Sequence, residues 1–122
     1  MKKGTIIIGP ANSGKTLDSR SISSKFDHVR FFDGNSSLKS PFAFSSCSKE
    51  TELVVIDELK NLDEIEAFYS HISKGILVNK PQEESFVIHP EIVIVCKEHI
   101  TAEQLPKNNA FLRRFNIIDK TI

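Results

Sequence analysis

The chain has 122 residues, 39% hydrophobic and 26% charged, enough for a single domain around one core and not for a core plus a separate specificity module. Sixteen basic residues balance sixteen acidic ones, so the field of the whole chain gives no reason to expect tight nonspecific nucleic-acid binding, although local basic patches stay open. No apolar run approaches the ~20 residues needed to span a bilayer, Met1-Lys2-Lys3 leads straight into a strand and not a signal-peptide core, and Cys47 and Cys96 fall in no CxxC or zinc-ligand spacing. The expectation is a soluble intracellular protein with free thiols, cytoplasmic or in a host cell if viral, with no membrane partner.

The first element in chain order is an apolar strand, Thr5 to Ile8, followed at Gly9 to Thr16 by Gly-Pro-Ala-Asn-Ser-Gly-Lys-Thr, a complete phosphate-binding loop opening a helix from about Lys15 to Lys25. His28 to Phe32 reads as a second strand. A Ser-rich connection, Gly34 to Ser48, follows, pinned by Phe42 and Phe44. Leu53-Val54-Val55-Ile56 is a third strand ending in Asp57-Glu58. A helix from about Leu62 to Ser73 then sets Leu62, Ile65, Phe68, Tyr69 and Ile72 on one core-facing stripe. Ile76 to Val78 and Phe86 to Ile88 flank a polar turn that includes Pro81, a hairpin signal inserted before the fourth main strand, Ile92 to Val95; Phe115 to Ile118 makes the fifth. The β-branched runs are continuously apolar and do not alternate, which implies strands covered on both faces. The fold class is therefore α/β, a single three-layer domain over residues 1–122, with a five-stranded parallel sheet and an inserted β-hairpin.

Each residue of the loop has a chemical reason. Gly9 and Gly14 bound a stretch, with Pro10, Ala11, Asn12 and Ser13 between them, in which backbone N–H groups can turn inward onto a polyphosphate. Lys15 supplies an ammonium for the β- and γ-phosphates, Thr16 a hydroxyl for Mg²⁺, and the helix that follows adds the positive end of its dipole. In a parallel sheet the end of the third strand faces this loop. There Asp57 would hold the Mg²⁺ shell and Glu58 would orient an attacking water. A strand that merely ends in acids is a weak signal, but it becomes strong behind an upstream phosphate loop.

Hydrolysis is favoured over small-molecule kinase chemistry, since no Arg-rich lid is visible. ATP is favoured over GTP, because Asn79-Lys80-Pro81-Gln82 has Gln where a guanine-reading element needs Asp. Arg113 and Arg114 precede the last strand. Either they reach a neighbouring subunit's γ-phosphate or they compensate a helix C-terminus at the surface, and the spacing allows both. His28, His71, His89 and His99 have no metal-ligand spacing.

Taken in order, these pieces resemble the superfamily 3 helicase core, the AAA+-like minimal ATPase of viral, phage and plasmid replication proteins, over nearly the whole chain. Gly9 to Thr16 is similar to that family's Walker A; Pro41-Phe-Ala-Phe44 and Val55-Ile-Asp-Glu-Leu59 resemble the approach to Walker B and the motif itself. Lys74-Gly75-Ile76, Val78-Asn79-Lys80 and Phe86 resemble the B-prime segment, a hairpin projecting into the channel of a ring, and Ala110 to Phe115 resembles the arginine-finger stretch. The resemblance implies Lys15 and Thr16 at phosphate and Mg²⁺, Asp57 and Glu58 in hydrolysis, Lys80 near single-stranded DNA, Arg113 or Arg114 acting in trans, and a hexameric ring; Lys74, at the base of the same hairpin, is a second nucleic-acid candidate, and a solvated hairpin turn is the alternative for both lysines.

Two departures qualify it. Lys97 stands at the tip of the fourth strand where the family has a γ-phosphate-sensing Asn, and a Lys cannot accept a hydrogen bond from the attacking water. No primase, origin-binding domain or collar is present, so the expectation is either an excised core or a stand-alone homologue that has lost unwinding. Two functions follow: a Mg²⁺-ATP-driven helicase-type ATPase acting on single-stranded DNA in replication, or a nucleotide-dependent interaction module with slow or no hydrolysis that recruits a replication partner.

Overall fold

A computed structural model describes residues 3–36 and 38–121. Met1, Lys2, Ser37 and Ile122 lie outside the described residues, and with them the first residues of the chain and one position of the Ser-rich connection. The elements are β1 (Gly4–Ile8), α1 (Lys15–Ser23), β2 (Val29–Asp33), β3 (Leu53–Leu59), α2 (Glu64–Lys74), β4 (Ile76–Val78), β5 (Phe86–Ile88), β6 (Glu91–Cys96), α3 (Asn109–Arg114) and β7 (Phe115–Asp119). The five-stranded sheet runs β2-β3-β6-β1-β7 with every pairing parallel, and β4-β5 forms a separate antiparallel hairpin with Leu77 opposite Val87.

The three continuously apolar runs become the three inner strands, because only there are both faces of a strand out of water. Successive side chains leave opposite faces, so Ile6, Ile8, Val54, Ile56, Ile92 and Ile94 join a core with Ile65, Phe68 and Phe111. Ile7, Leu53, Val55, Val93 and Val95 form a second core with Ile22 and Phe26. Each fully buried Ile or Phe contributes roughly 1.5–3 kcal/mol of transfer free energy. The predicted α2 stripe lies on the first core, with Ile65 and Phe68 buried and Leu62, Tyr69 and Ile72 packed against them.

Several boundaries differ from expectation. α1 stops at Ser23, two residues short, where the Ser23 and Ser24 hydroxyls turn back to the Arg20 and Ser21 carbonyls and compete with helix continuation. β3 does not end at the acid pair. It continues to Leu59 through a register shift between Ile56 and Leu59. The long connection is pinned by one Phe and not two: Phe44 is buried edge-on against Phe32, Phe68 and His71, while Phe42 is 53% exposed. One of the two expectations for Arg113 and Arg114 places a helix C-terminus before the last strand. α3 is there, begun by Asn108, whose side chain accepts the Phe111 N–H at 2.8 Å.

Candidate functional site

The strand-to-helix turn after β1 can form only with unusual backbone angles. Gly9 has φ 151°, Asn12 62° and Gly14 89°, and Asn is among the few side-chain-bearing residues that adopt the left-handed region readily. Gly14 begins α1 with no side-chain cap, and the first backbone bond closing the helix is Asp18 N–H to Gly14 O at 3.1 Å. The amides of the first turn are thus left without side-chain partners, the arrangement that binds anions. Inside the turn the Ser13 hydroxyl is buried with no hydrogen-bond partner among the described residues. The Lys15 ammonium folds back onto the loop's own carbonyls, Gly9 O at 2.6 Å and Pro10 O at 2.8 Å.

Across the sheet, the β3 bulge puts Glu58 at φ 57°, a left-handed angle that costs a side-chain-bearing residue on the order of 1–3 kcal/mol. The surroundings hold it there. Gly34, just past β2, donates its N–H to Asp57 O at 2.6 Å, and Lys97 N–H donates to Leu59 O at 2.9 Å. Asp57 pairs in register with Asp33 of β2. Partial burial first, then the neighbouring Glu58 and Asp33 charges, raise the Asp57 carboxyl above its usual range. At the end of β6 burial pushes the Cys96 thiol up to about 12, partly offset by Lys15.

Ala11 to Leu17, Asp57, Glu58 and Val95 to Glu98 line one open cleft of about 510 Å³. Ala11, Asn12, Ser13, Gly14, Lys15, Thr16, Asp57 and Glu58 therefore meet at one place, as the sequence predicts, with Lys97 among them. Gly9 and Pro10, the first two residues of the loop, do not line the cleft. The set fits Mg²⁺: the Thr16 hydroxyl and the Asp57 carboxylate, both hard oxygen donors, share the cleft with Glu58, whose repulsion of Asp57 a divalent cation would relieve, and with the orphaned Ser13 hydroxyl.

The remaining predicted residues lie elsewhere. Phe115 pairs with Gly4 at the start of β1, so Arg113 and Arg114 sit at the opposite end of the sheet from the loop, separated by the length of β1, roughly 13 Å at ~3.3 Å per residue. Arg114 is engaged within its own chain: Nε donates to Ser73 Oγ and Nη1 to Ala110 O, both at 2.9 Å, and the guanidinium lies 5.0 Å from the Tyr69 ring centroid. Arg113 is exposed, and its side chain takes part in no hydrogen bond, ion pair or ring contact among the described residues. Lys74 is exposed in the last turn of α2, and Lys80 is half-buried in the hairpin turn, which Asn79 ties down by donating to Pro41 O at 2.8 Å. Sequence reasoning missed Gly34 and the Asp18–Lys120 pair, both of which depend on long-range contacts with no local pattern.

Similar architectures occur among solved structures. The JCV helicase superposes with a TM-score of 0.67 at 18% identity over 99% of this chain, and the NrS-1 C-terminal region with 0.66 at 17% over 97%. RuvB of Thermotoga maritima, a Holliday junction branch migration motor, gives 0.57 at 20% over 98%. The fold is that of a P-loop NTPase. The chain spans 29–37% of the length of these three neighbours. No protein-family model matches the chain, and no curated protein matches it at the stringency met by these structures. Within this P-loop fold, no helix among the described residues is long and apolar enough to cross a membrane, and no group of His, Cys, Asp or Glu among them forms a separate metal cluster.

Proposed function

We propose that the chain binds Mg²⁺-ATP in the cleft between the loop and the β3 bulge and hydrolyses it as a superfamily 3 helicase-like core acting on single-stranded DNA in replication. One observation carries the reading: an uncapped first helical turn and an orphaned Ser13 hydroxyl face Asp57 and Glu58 across a single cleft. Gly9 to Thr16 would wrap the phosphates, with Lys15 leaving its loop carbonyls for a phosphate oxygen. Thr16 and Asp57 would hold Mg²⁺, which when bound supplies charge neutralisation at the phosphoryl oxygens. Glu58, kept in its strained conformation by the bulge, would hold the attacking water in line with the γ-phosphate and take up its proton.

The distance between Arg113 and its own loop favours a finger acting on a neighbouring subunit, and the contacts of Arg114 favour Arg113 for that role. Such a finger requires a ring, hexameric in the family resembled. In a ring, one Lys74 and one Lys80 per subunit multiply into a basic circle around a DNA strand. Among the structural neighbours, one is named a helicase and RuvB a Holliday junction branch migration motor, which supports a DNA partner. ATP turnover measured with and without single-stranded DNA at high protein concentration tests the motor. ADP and free phosphate stimulated by DNA are expected, and no stimulation removes translocation.

Lys97 favours a second reading, an ATP-state interaction module that recruits a replication partner. A cation lining the γ-phosphate end of the cleft holds triphosphate without accepting a bond from water. Glu58→Gln separates the two: it lowers turnover about 100-fold in a hydrolase and changes nothing in a binding switch.

A further inference from the structure

The proposed nucleotide has a direction across the sheet. Asp57 and Glu58 lie on β3, Lys97 follows β6, the loop follows β1, and β7 lies beyond it. A triphosphate whose γ end faces the acids and Lys97 must run its inner phosphates and nucleoside toward the end of β7. Lys120 stands there. Its backbone N–H donates to Ile8 O at 2.8 Å, so the residue is fixed beside the root of the loop. Its stem crosses Gly9, where an added Cβ would fall 2.7 Å from Lys120 Cβ, and its Nζ is 4.0 Å from the point a Cβ on Gly14 would occupy. The ammonium therefore hangs at the edge of the first-turn amides of α1.

Its present partner is Asp18, in that same turn, with Nζ 2.9 Å from Oδ2. Oδ2 is shut off from water and has no aligned hydrogen bond, so the contact is an ion pair only. A carboxylate there also lies next to the place a polyphosphate would enter, and like charges repel. A phosphate offers the ammonium more negative charge and better-directed oxygens than this one carboxylate does.

We infer that Lys120 is a nucleotide-positioning residue that exchanges Asp18 for the inner phosphates when a nucleotide binds. The inference rests on the nucleotide reading above and adds a contact on the β7 side of the loop that no part of the phosphate-loop motif contains. Asp18 acts as the holder of Lys120 in the nucleotide-free protein.

Calorimetric titration of the full chain with Mg²⁺-ATP and with Mg²⁺-ADP tests this, using the parent, Lys120→Met, Lys120→Arg, Asp18→Asn and the Asp18→Asn/Lys120→Met pair. Met keeps the stem over Gly9. Loss of one charge-assisted phosphate contact should weaken ATP and ADP equally, by about tenfold, while Lys120→Arg stays within about threefold of the parent. Asp18→Asn should tighten both nucleotides severalfold, and most of that gain should vanish in the pair. Parent-like ADP affinity in Lys120→Met overturns the inference and leaves the nucleotide site standing, as does a loss confined to ATP, which would assign the lysine to the γ-phosphate. A parent chain that binds neither nucleotide overturns the proposed function itself.

Discussion

A side chain at Gly34 would bring its Cβ to 2.5 Å from both the Cα and the N of Leu59, the residue that closes the β3 bulge. Both atoms are backbone and cannot swing aside, so Gly34→Ala must displace either the turn after β2 or the bulge. Overpacking of this kind costs ~1–3 kcal/mol. The larger effect should fall on Glu58, whose left-handed backbone depends on that bulge. The variant should keep ATP affinity within a fewfold of the parent and lose turnover by a factor of ten or more, on the order of a misplaced catalytic group. Equal losses in both would show that the bulge does not aim Glu58.

Arg113 and Arg114 should separate cleanly. Arg114→Ala removes two hydrogen bonds and the cation–π contact with Tyr69, and thermal denaturation should report a loss of about 1–3 kcal/mol. Arg113→Ala should leave stability within ~0.5 kcal/mol, as for exposed positions without such contacts. Its turnover should fall, and mixing it with Lys15→Ala subunits should recover part of the lost activity if the guanidinium serves a neighbour. No recovery on mixing removes the trans role.

The crowded Asp57 carboxyl gives the nucleotide-free protein a pH signature. Its pKa is higher folded than unfolded, so its contribution to stability is full below the unfolded value of ~3.9 and is lost as pH rises through the raised folded value. Asp57→Asn carries no charge at any of these pH values. It should therefore melt above the parent at pH 7 in the absence of Mg²⁺, with the gap shrinking toward pH 4. Added Mg²⁺-ATP should stabilise the parent and not the variant. A melting difference independent of pH would assign it to packing instead.

Both thiols should resist alkylation in the native state. Cys47 and Cys96 are fully buried, burial raises both thiol pKa values, and Cys96 reaches about 12. At pH 8 the thiolate fraction of Cys96 is then on the order of 10⁻⁴. Labelling by iodoacetamide should proceed only as fast as the protein unfolds, and quickly in denaturant. Rapid labelling of Cys96 in the native protein would mean that β6 opens locally next to Lys15, and rapid labelling of Cys47 that the connection before β3 does.

The contrast between α2 and α3 shows what a single sequence could yield. The α2 stripe is long and periodic, so burial of one face is written into the spacing of Leu62, Ile65, Phe68, Tyr69 and Ile72. α3 has 6 residues, too few for a period, and only the Asn108 cap announces it. Phe42 and Phe44 are alike in composition and neighbourhood. Which of them enters the core depends on whether Phe32, Phe68 and His71 arrive from elsewhere in the chain.

By itself the sequence determined the phosphate loop, the acid pair and the parallel character of the buried strands, because each rests on neighbouring residues whose chemistry or apolar continuity is local, whereas the strand order β2-β3-β6-β1-β7 came from the structure. Only the tertiary structure decided that Glu58 sits on a strained bulge braced by Gly34 and Lys97, that Arg114 is spent on Tyr69 and Ser73, and that Lys120 closes over the loop onto Asp18. These relationships join residues between 24 and 111 positions apart, from Gly34 and Glu58 to Gly9 and Lys120. Their geometry exists only once the sheet has set the strand ends side by side.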